Sequence, residues 1–411
     1  MNLSLCMIVK DEAAHLSRCL SSVKDLVDEM VIVDTGSSDQ TPEIARSFGA
    51  EVHYYTWNHN FSAARNESLK YAQGDWILVL DADEVLNPEI VPFLKQVMQR
   101  DNALVVNLLR QEVGAVQSPY SLMSRLFRNH FGIRFSRPYH SMIDDSVARL
   151  LQRELQWQVV NLPEVAILHY GYEPGAIASR NKLEKAKTTM EGYLSAHPDD
   201  PYVCSKLGAL YVEIGEITHG IDLLERGLNS IAVRETAQGQ ATEEYADAPT
   251  LYELHYHLGI AYGRIQNLAQ SEHHYQAAVA QPILNRLKLG AYTNLGNLLK
   301  AKNDLQGAKA NYALVTKIDP ALAIGHYNLG MVYKALGQMR EAIDCYAQAL
   351  TLNPHYAEAY QNLGVTLLKV GSIEESLEAF SRAIALYEQQ NPSEALRLKQ
   401  GLEQIGLLRK R

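Results

Sequence analysis

Trp76-Ile77-Leu78-Val79-Leu80-Asp81-Ala82-Asp83-Glu84 is an apolar run that ends abruptly in carboxylates, and Pro88 restarts a helix just beyond it. Five consecutive apolar residues closed by a polar turn match a strand buried on both faces. Strand side chains repeat every two residues, so Asp81 and Asp83 point the same way. Two carboxylates at a strand end can share a divalent ion, Mg²⁺ or Mn²⁺, with a substrate diphosphate. An acidic pair alone is equally at home in a solvated turn. The sequence around it decides.

Upstream lie three more apolar runs, Leu3–Val9, Met30–Val33 and Val52–Tyr55, separated by amphipathic stretches near 12–24, 40–48 and 62–72. Strand and helix alternating at this pitch predict a parallel sheet with crossover helices. In Val31-Ile32-Val33-Asp34-Thr35-Gly36-Ser37-Ser38-Asp39 another strand ends in a carboxylate and a small-residue turn. Asp39, just before Gln40 and Pro42, is the more natural helix cap, which leaves Asp34 for a ligand. Asn60-Phe61-Ser62-Ala63-Ala64-Arg65-Asn66 opens a helix and places Arg65 on its first turn. All three segments fall at carboxyl ends of strands, where open α/β sheets bind ligands. Downstream, Leu104–Leu109, Leu122–Phe127, Val159–Val160 and Val165–Leu168 read as an antiparallel extension of the same sheet, with no strong helix between most of them.

The second half repeats. Asn-Leu-Gly recurs at 294–296, 328–330 and 362–364; Tyr312, Tyr346 and Phe380 keep the 34-residue spacing, as do Pro320 and Pro354. A glycine that lets two helices approach, an aromatic that fills the gap and a proline that ends the second helix describe a helix–turn–helix unit. One such unit cannot bury its apolar face, so units stack. The pattern resembles the tetratricopeptide repeat over 289–388, with degenerate copies at His257-Leu258-Gly259 and Lys206-Leu207-Gly208. The expected division is an α/β domain at 1–175, a helical linker at 176–200, about five repeats at 201–388 and a helical cap at 389–411. Residues 229–249 look like an exposed loop, and Pro198–Pro201 like a hinge.

Bulk properties narrow the function. A chain of 411 residues with net charge −9 has no basic excess to favour nucleic acid. Cys6, Cys19, Cys204 and Cys345 show no CxxC spacing, which suggests reduced thiols and a cytoplasmic location. The N-terminal apolar run is too short for a signal peptide, and no segment reaches membrane-spanning length. No GxxxxGK[ST] loop occurs, which weakens a nucleotidyl-transfer reading.

Through Cys6–Glu12, Val31–Thr41, Ser62–Asn66 and Leu80–Glu84, residues 3–100 resemble family 2 glycosyltransferases of the GT-A fold. Ser124-Arg125-Leu126-Phe127-Arg128, Tyr139-His140 and His169-Tyr170-Gly171-Tyr172 are similar to a bacterial subgroup with helical repeats after the catalytic domain. The resemblance implies a GT-A-type, mixed but mainly parallel sheet followed by an all-α repeat solenoid. It implies an inverting, metal-dependent hexosyltransferase that takes a UDP-sugar. Asp34 and Arg65 would meet the base, with the main chain of Met7–Val9 lining its pocket. Asp81 would contact ribose or metal, and Asp83 would bind the metal.

His169 is either a further metal ligand or a core histidine. Arg125 and Arg128 either contact the diphosphate or form one charged face of a strand. A glutamate usually follows the histidine that is His140 here; this chain has Ser141, so Asp144, Asp145 or His140 itself would have to act as base. That departure keeps a second reading open, a nucleotide-binding repeat scaffold without turnover. Asn294, Asn328 and Asn362 would form a ladder for the backbone of a peptide or protein acceptor. The competing reading is that each bonds a neighbouring repeat.

Overall fold

The computed structural model describes residues 1–171, 180–238 and 244–408. Tyr172, the start of the expected linker, the middle of the expected 229–249 loop and the last three residues lie outside that range. The first half runs β1 (Leu3–Val9), α1 (Leu16–Val23), β2 (Glu29–Asp34), α2 (Thr41–Ser47), β3 (Glu51–Tyr54), α3 (Phe61–Ser68) and β4 (Trp76–Val79). It continues with β5 (Glu84–Leu86), α4 (Val91–Met98), β6 (Ala103–Glu112), β7 (Tyr120–Arg128), α5 (Asp144–Arg153) and β8 (Gln158–His169). These strands form one eight-stranded sheet in the order β3-β2-β1-β4-β7-β6-β8-β5.

β3, β2, β1 and β4 pair in parallel, as the strand–helix alternation requires. Alternation along β1 sends Leu5 and Met7 to one face, where they meet Leu16 and Leu20 of α1, and Cys6 to the other, in the core shared with Val147 and Leu150 of α5. With helices on both faces the strands can be apolar throughout.

The second part of the sheet corrects the sequence reading in three ways. β7 is antiparallel to both β4 and β6, but β8 lies parallel to β6, so the extension is mixed. Val159–Val160 and Val165–Leu168 belong to one strand, β8, carried across two shifts in its pairing with β6. α5 also occupies a stretch expected to lack a strong helix. Its apolar positions Val147, Leu150 and Leu151 have helical spacing, and Val147 and Leu150 are buried.

Helices follow: α6 (Arg180–Ala196), α7 (Pro201–Ile214), α8 (Ile217–Gln238), α9 (Glu244–Arg264), α10 (Leu268–Ala280), α11 (Leu289–Ala301) and α12 (Leu305–Ile318). α13 (Ala323–Ala335), α14 (Met339–Leu352), α15 (Ala357–Lys369), α16 (Ile373–Gln390) and α17 (Pro392–Gln404) complete the array. Within 229–249, expected as loop, α8 runs on to Gln238 and α9 begins at Glu244. One compact unit takes in 1–115 and 119–261, so the sheet domain and helices α6 to α8 with most of α9 belong to it; the other is mainly 262–411. Among the described residues, no helix is long and apolar enough to cross a membrane.

The expected hinge at Pro198–Pro201 is pinned. Asp200 caps α7 by accepting from Val203 N at 3.0 Å, and its other oxygen pairs with Arg137 at 2.9 Å. In the repeats, a Cβ on Gly296 would sit 2.6 Å from the ring of Tyr312, one on Gly330 2.9 Å from Tyr346, and one on Gly364 2.8 Å from Phe380. Tyr312 and Tyr346 are fully buried, so their rings have nowhere to retreat. Gly296→Val is therefore expected to lower the stability of the array by about 1–3 kcal/mol, with partial recovery in Gly296→Val/Tyr312→Leu. Thermal melting of both variants checks this; a Gly296→Val melt equal to that of the parent chain would contradict it.

Candidate active site

The carboxyl end of β2 presents Asp34. It is 1% exposed, and its Oδ1 closes the following turn by accepting from Gly36 N at 2.9 Å and Ser37 N at 3.0 Å. Gly36 takes φ +104°, a conformation that costs glycine little. Asp34 Oδ2 is buried without a partner. A buried carboxylate oxygen left bare is costly, and a ligand donor would satisfy it. Val9 lies opposite Asp34 in the β1–β2 register, and its carbonyl accepts from Thr35 N and Oγ1. Asp39, just before α2, accepts from Thr41 N, but the N-cap position of that helix is taken by Gln40 and not by Asp39 as expected.

Asn60 caps α3 by accepting from Ala63 N, which fixes the helix that carries Arg65. Arg65 Nη2 donates to Asp81 Oδ1 at 2.7 Å, and Arg125 Nη2 to Asp81 Oδ2 at 2.6 Å. Burial alone would raise the Asp81 carboxyl, but Arg125 and Arg65 hold it far below the usual carboxylate range. Arg65 Nε and Arg125 Nε and Nη1 are buried without partners. The Arg125 guanidinium also reaches Glu84 Oε1 at 3.4 Å, and Arg110 Nη1 reaches the same oxygen at 3.0 Å. Glu84 is fully buried, and its Oε2 accepts from Asp81 N at 2.9 Å.

Arg110 Nη2 pairs with Glu112 Oε1 at 2.7 Å, and Glu112 Oε2 bonds His169 Nδ1. His169 Nε2 lies 3.1 Å from Asp83 Oδ2. Sheet register explains the gathering, because His169 on β8 pairs with Glu84 of β5 on one side and Glu112 of β6 on the other. Burial would lower the His169 imidazole, but Asp83 and Glu112 raise it to about 9. Asp83 is held below its ordinary value, burial being outweighed by its bond to His169.

These contacts revise the expected metal set. Asp83 and His169 come together, but both oxygens of Asp81 are engaged by arginine. Among the described residues, no group of three or more His, Cys, Asp or Glu side chains converges to hold a metal ion. One carboxylate and one imidazole suit a cation that takes its remaining ligands from water and a diphosphate. Asp83 is one-third exposed, so such a ligand can reach it.

The candidate bases separate cleanly. Asp145 is taken up by Arg137, which donates from Nη1 to Oδ2 at 2.7 Å and from Nη2 to Oδ1 at 3.2 Å, and it also accepts from Ser136 Oγ. Asp144, at the start of α5, accepts a 3.2 Å bond from Ser124 Oγ and is exposed to solvent. Desolvation there raises its carboxyl. His140 is exposed at φ +49°, and desolvation together with the positive charge of Lys206 pushes its imidazole down to about 4.

Arg128 is no diphosphate ligand in this arrangement. It lies over the Trp76 and Trp157 rings and donates to the carbonyls of Arg100 and Ala103. Of the asparagines, Asn362 is engaged by the preceding repeat, donating to Tyr327 Oη at 3.1 Å and accepting from Lys334 Nζ. Asn328 is buried, and Asn294 is half-buried. Arg110 and Glu112 escaped the sequence reading altogether. Their signal was two charged residues with strand spacing at the end of an apolar run.

The family model described as Glycosyl transferase family 2 matches residues 4–160, and tetratricopeptide repeat models match 289–322, 323–356 and 345–378. A TPR repeat-containing protein of Synechococcus elongatus is 43% identical over 302 residues, 74% of this chain and 72% of that protein. Glycosyltransferase SunS of Bacillus subtilis is 25% identical over 232 residues, 54% of this chain and 52% of its own length, so this chain spans about half of that relative. Among solved structures, YrrB, titled a TPR protein with an unusual peptide-binding site, aligns with a TM-score of 0.40 at 17% identity, covering 52% of this chain and all of YrrB. The α/β domain at residues 4–160 belongs to glycosyltransferase family 2, and an array of tetratricopeptide repeats follows it.

Proposed function

We propose that the protein transfers a hexose from a UDP-sugar to an acceptor hydroxyl with inversion, and that a divalent cation assists. The observation that carries this reading is the set of unsatisfied buried atoms at the strand ends: Asp34 Oδ2, Arg65 Nε, and Arg125 Nε and Nη1. A bare carboxylate oxygen suits an imide N–H such as that of uracil, and bare guanidinium nitrogens suit an anionic diphosphate. Asp83 and His169 would hold Mn²⁺ or Mg²⁺, which, when bound, supplies positive charge against the leaving diphosphate.

In the transfer step the acceptor oxygen bonds to the anomeric carbon as the bond from that carbon to the diphosphate oxygen breaks. The electron pair leaves with the nucleoside diphosphate, and the hydroxyl proton goes to Asp144. Asp144 suits this role because its carboxylate is accessible and desolvation moves it towards neutral pH. Its availability supplies what Ser141 lacks and favours an enzyme over a silent scaffold. The acceptor belongs to a peptide, a protein or a glycan precursor.

Incubating the protein with a panel of nucleotide sugars, Mn²⁺ and cell lysate, and measuring nucleoside diphosphate release, tests the reading. Release from no donor would refute it. Asp83→Ala should abolish release, chelation should do the same reversibly, and Asp34→Ala should raise the donor KM about tenfold through a lost hydrogen bond to a charged group. Asp144→Asn should lower kcat by about 10²- to 10⁴-fold, while Asp145→Asn should chiefly lower the melting temperature. Equal kcat in Asp144→Asn and the parent chain would transfer the base role elsewhere.

A further inference from the structure

The helices that follow the sheet domain bring a second polar cluster close to His140 and Asp144. Arg137 is the pivot. It pairs with Asp145 at the start of α5 and with Asp200 at the cap of α7, and its guanidinium lies 5.1 Å from the Tyr202 ring centroid. One turn along α7, Lys206 Nζ bonds Glu253 Oε1 of α9 at 2.6 Å, and Ser205 Oγ bonds Glu253 Oε2 at 3.2 Å. Lys206 Nζ also lies 5.1 Å from the Tyr202 ring. His257 sits one turn beyond Glu253 on the same helix.

This cluster is near both candidate machineries. Lys206 and Glu253 act electrostatically on His140, Asp144 acts on Tyr202, and Arg110 from the donor-side network acts on both His140 and Lys206. Lys206 and Glu253 remain accessible, with side chains 23% and 30% exposed, and His257 is half-buried. All these residues belong to the first compact unit.

We propose that α7 and α9 complete the acceptor site of the proposed transferase, and that Lys206 and Glu253 select a hydroxyl-bearing sugar or polyol. The inference rests on the transferase reading above. The Lys206–Glu253 pair is neutral overall, and desolvation keeps the imidazoles of His140 and His257 uncharged at neutral pH, each pushed down to about 4. A charged acceptor therefore gains little here. Lys206 and Arg137 both lie close to the Tyr202 ring, which disfavours it as a stacking platform for an apolar group. What remains is a donor beside an acceptor. Neighbouring sugar hydroxyls offer the complement, since each hydroxyl both donates and accepts. Lys206 and Glu253 would then position the acceptor, while Asp144 takes its proton.

The test uses the full chain with whichever donor supports release, and a panel of methyl glycosides as acceptor probes. At least one glycoside should accelerate nucleoside diphosphate release. Lys206→Met and Glu253→Gln should each raise its KM about tenfold, the worth of a hydrogen bond to a charged group, with affinity for the free nucleoside diphosphate shifted less than about twofold. Lys206→Arg, which keeps the charge pair, should retain a KM near that of the parent chain. Melting curves identify any variant that has unfolded, and Lys206→Arg against Glu253→Gln then carries the comparison. An unchanged KM in folded variants would overturn the proposal. So would acceleration by serine- or threonine-containing peptides with none by glycosides. Release from no donor at all would instead fail the transferase reading itself.

Discussion

Eight ionisable side chains stand in one unbroken line at the carboxyl end of the sheet: Arg65, Asp81, Arg125, Glu84, Arg110, Glu112, His169 and Asp83. With His169 protonated, four positive groups alternate with four negative ones, so every charge has an opposite on at least one side. Burying such groups is tolerable only when each is paired. The line constrains the rest of the site. Glu84 cannot be fully buried without Arg125 and Arg110, and Asp81 keeps its ionised form because two guanidinium groups hold it. α3, the turn between β4 and β5, and strands β5, β6, β7 and β8 all contribute to this network, so its geometry is set largely by sheet register.

The pairing changes the meaning of the acidic triplet that opened the sequence reading. β4 ends at Val79 and Asp83 lies in the turn before β5, so strand spacing does not align the two aspartates, and their partners split them into different jobs. Asp81 anchors arginines, and Asp83 faces His169. Glu84, which reads as a mere neighbour in sequence, is the most deeply buried member of the three. Those partners come from α3, β6, β7 and β8, so the division of labour could not be read from spacing.

What the sequence did disclose follows the same logic. β1, β2 and β4 were legible because doubly buried strands are written as apolar runs, and the repeats because Gly296, Gly330 and Gly364 recur with their aromatic partners. The parallel direction of β8 was not legible, since an apolar run has no arrow. α5 hid behind the polar Asp144-Asp145-Ser146 start, although Val147, Leu150 and Leu151 carried its period. Asp145 and Asp144 looked interchangeable as neighbours. Arg137, at positive φ and three-dimensionally adjacent, distinguishes them.

Arg137 has one more implication, for how such a chain could be assembled from parts. Its guanidinium is shared between a carboxylate of α5 and the capping carboxylate of α7, so the seam between sheet and helices is written in matched charge. A foreign helical array grafted from residue 200 onward would have to bring an acidic cap in the same place, or an almost wholly enclosed cation would keep Asp145 alone as its counter-charge. Modular exchange at this junction is thus restricted to donors that carry their own counter-charge.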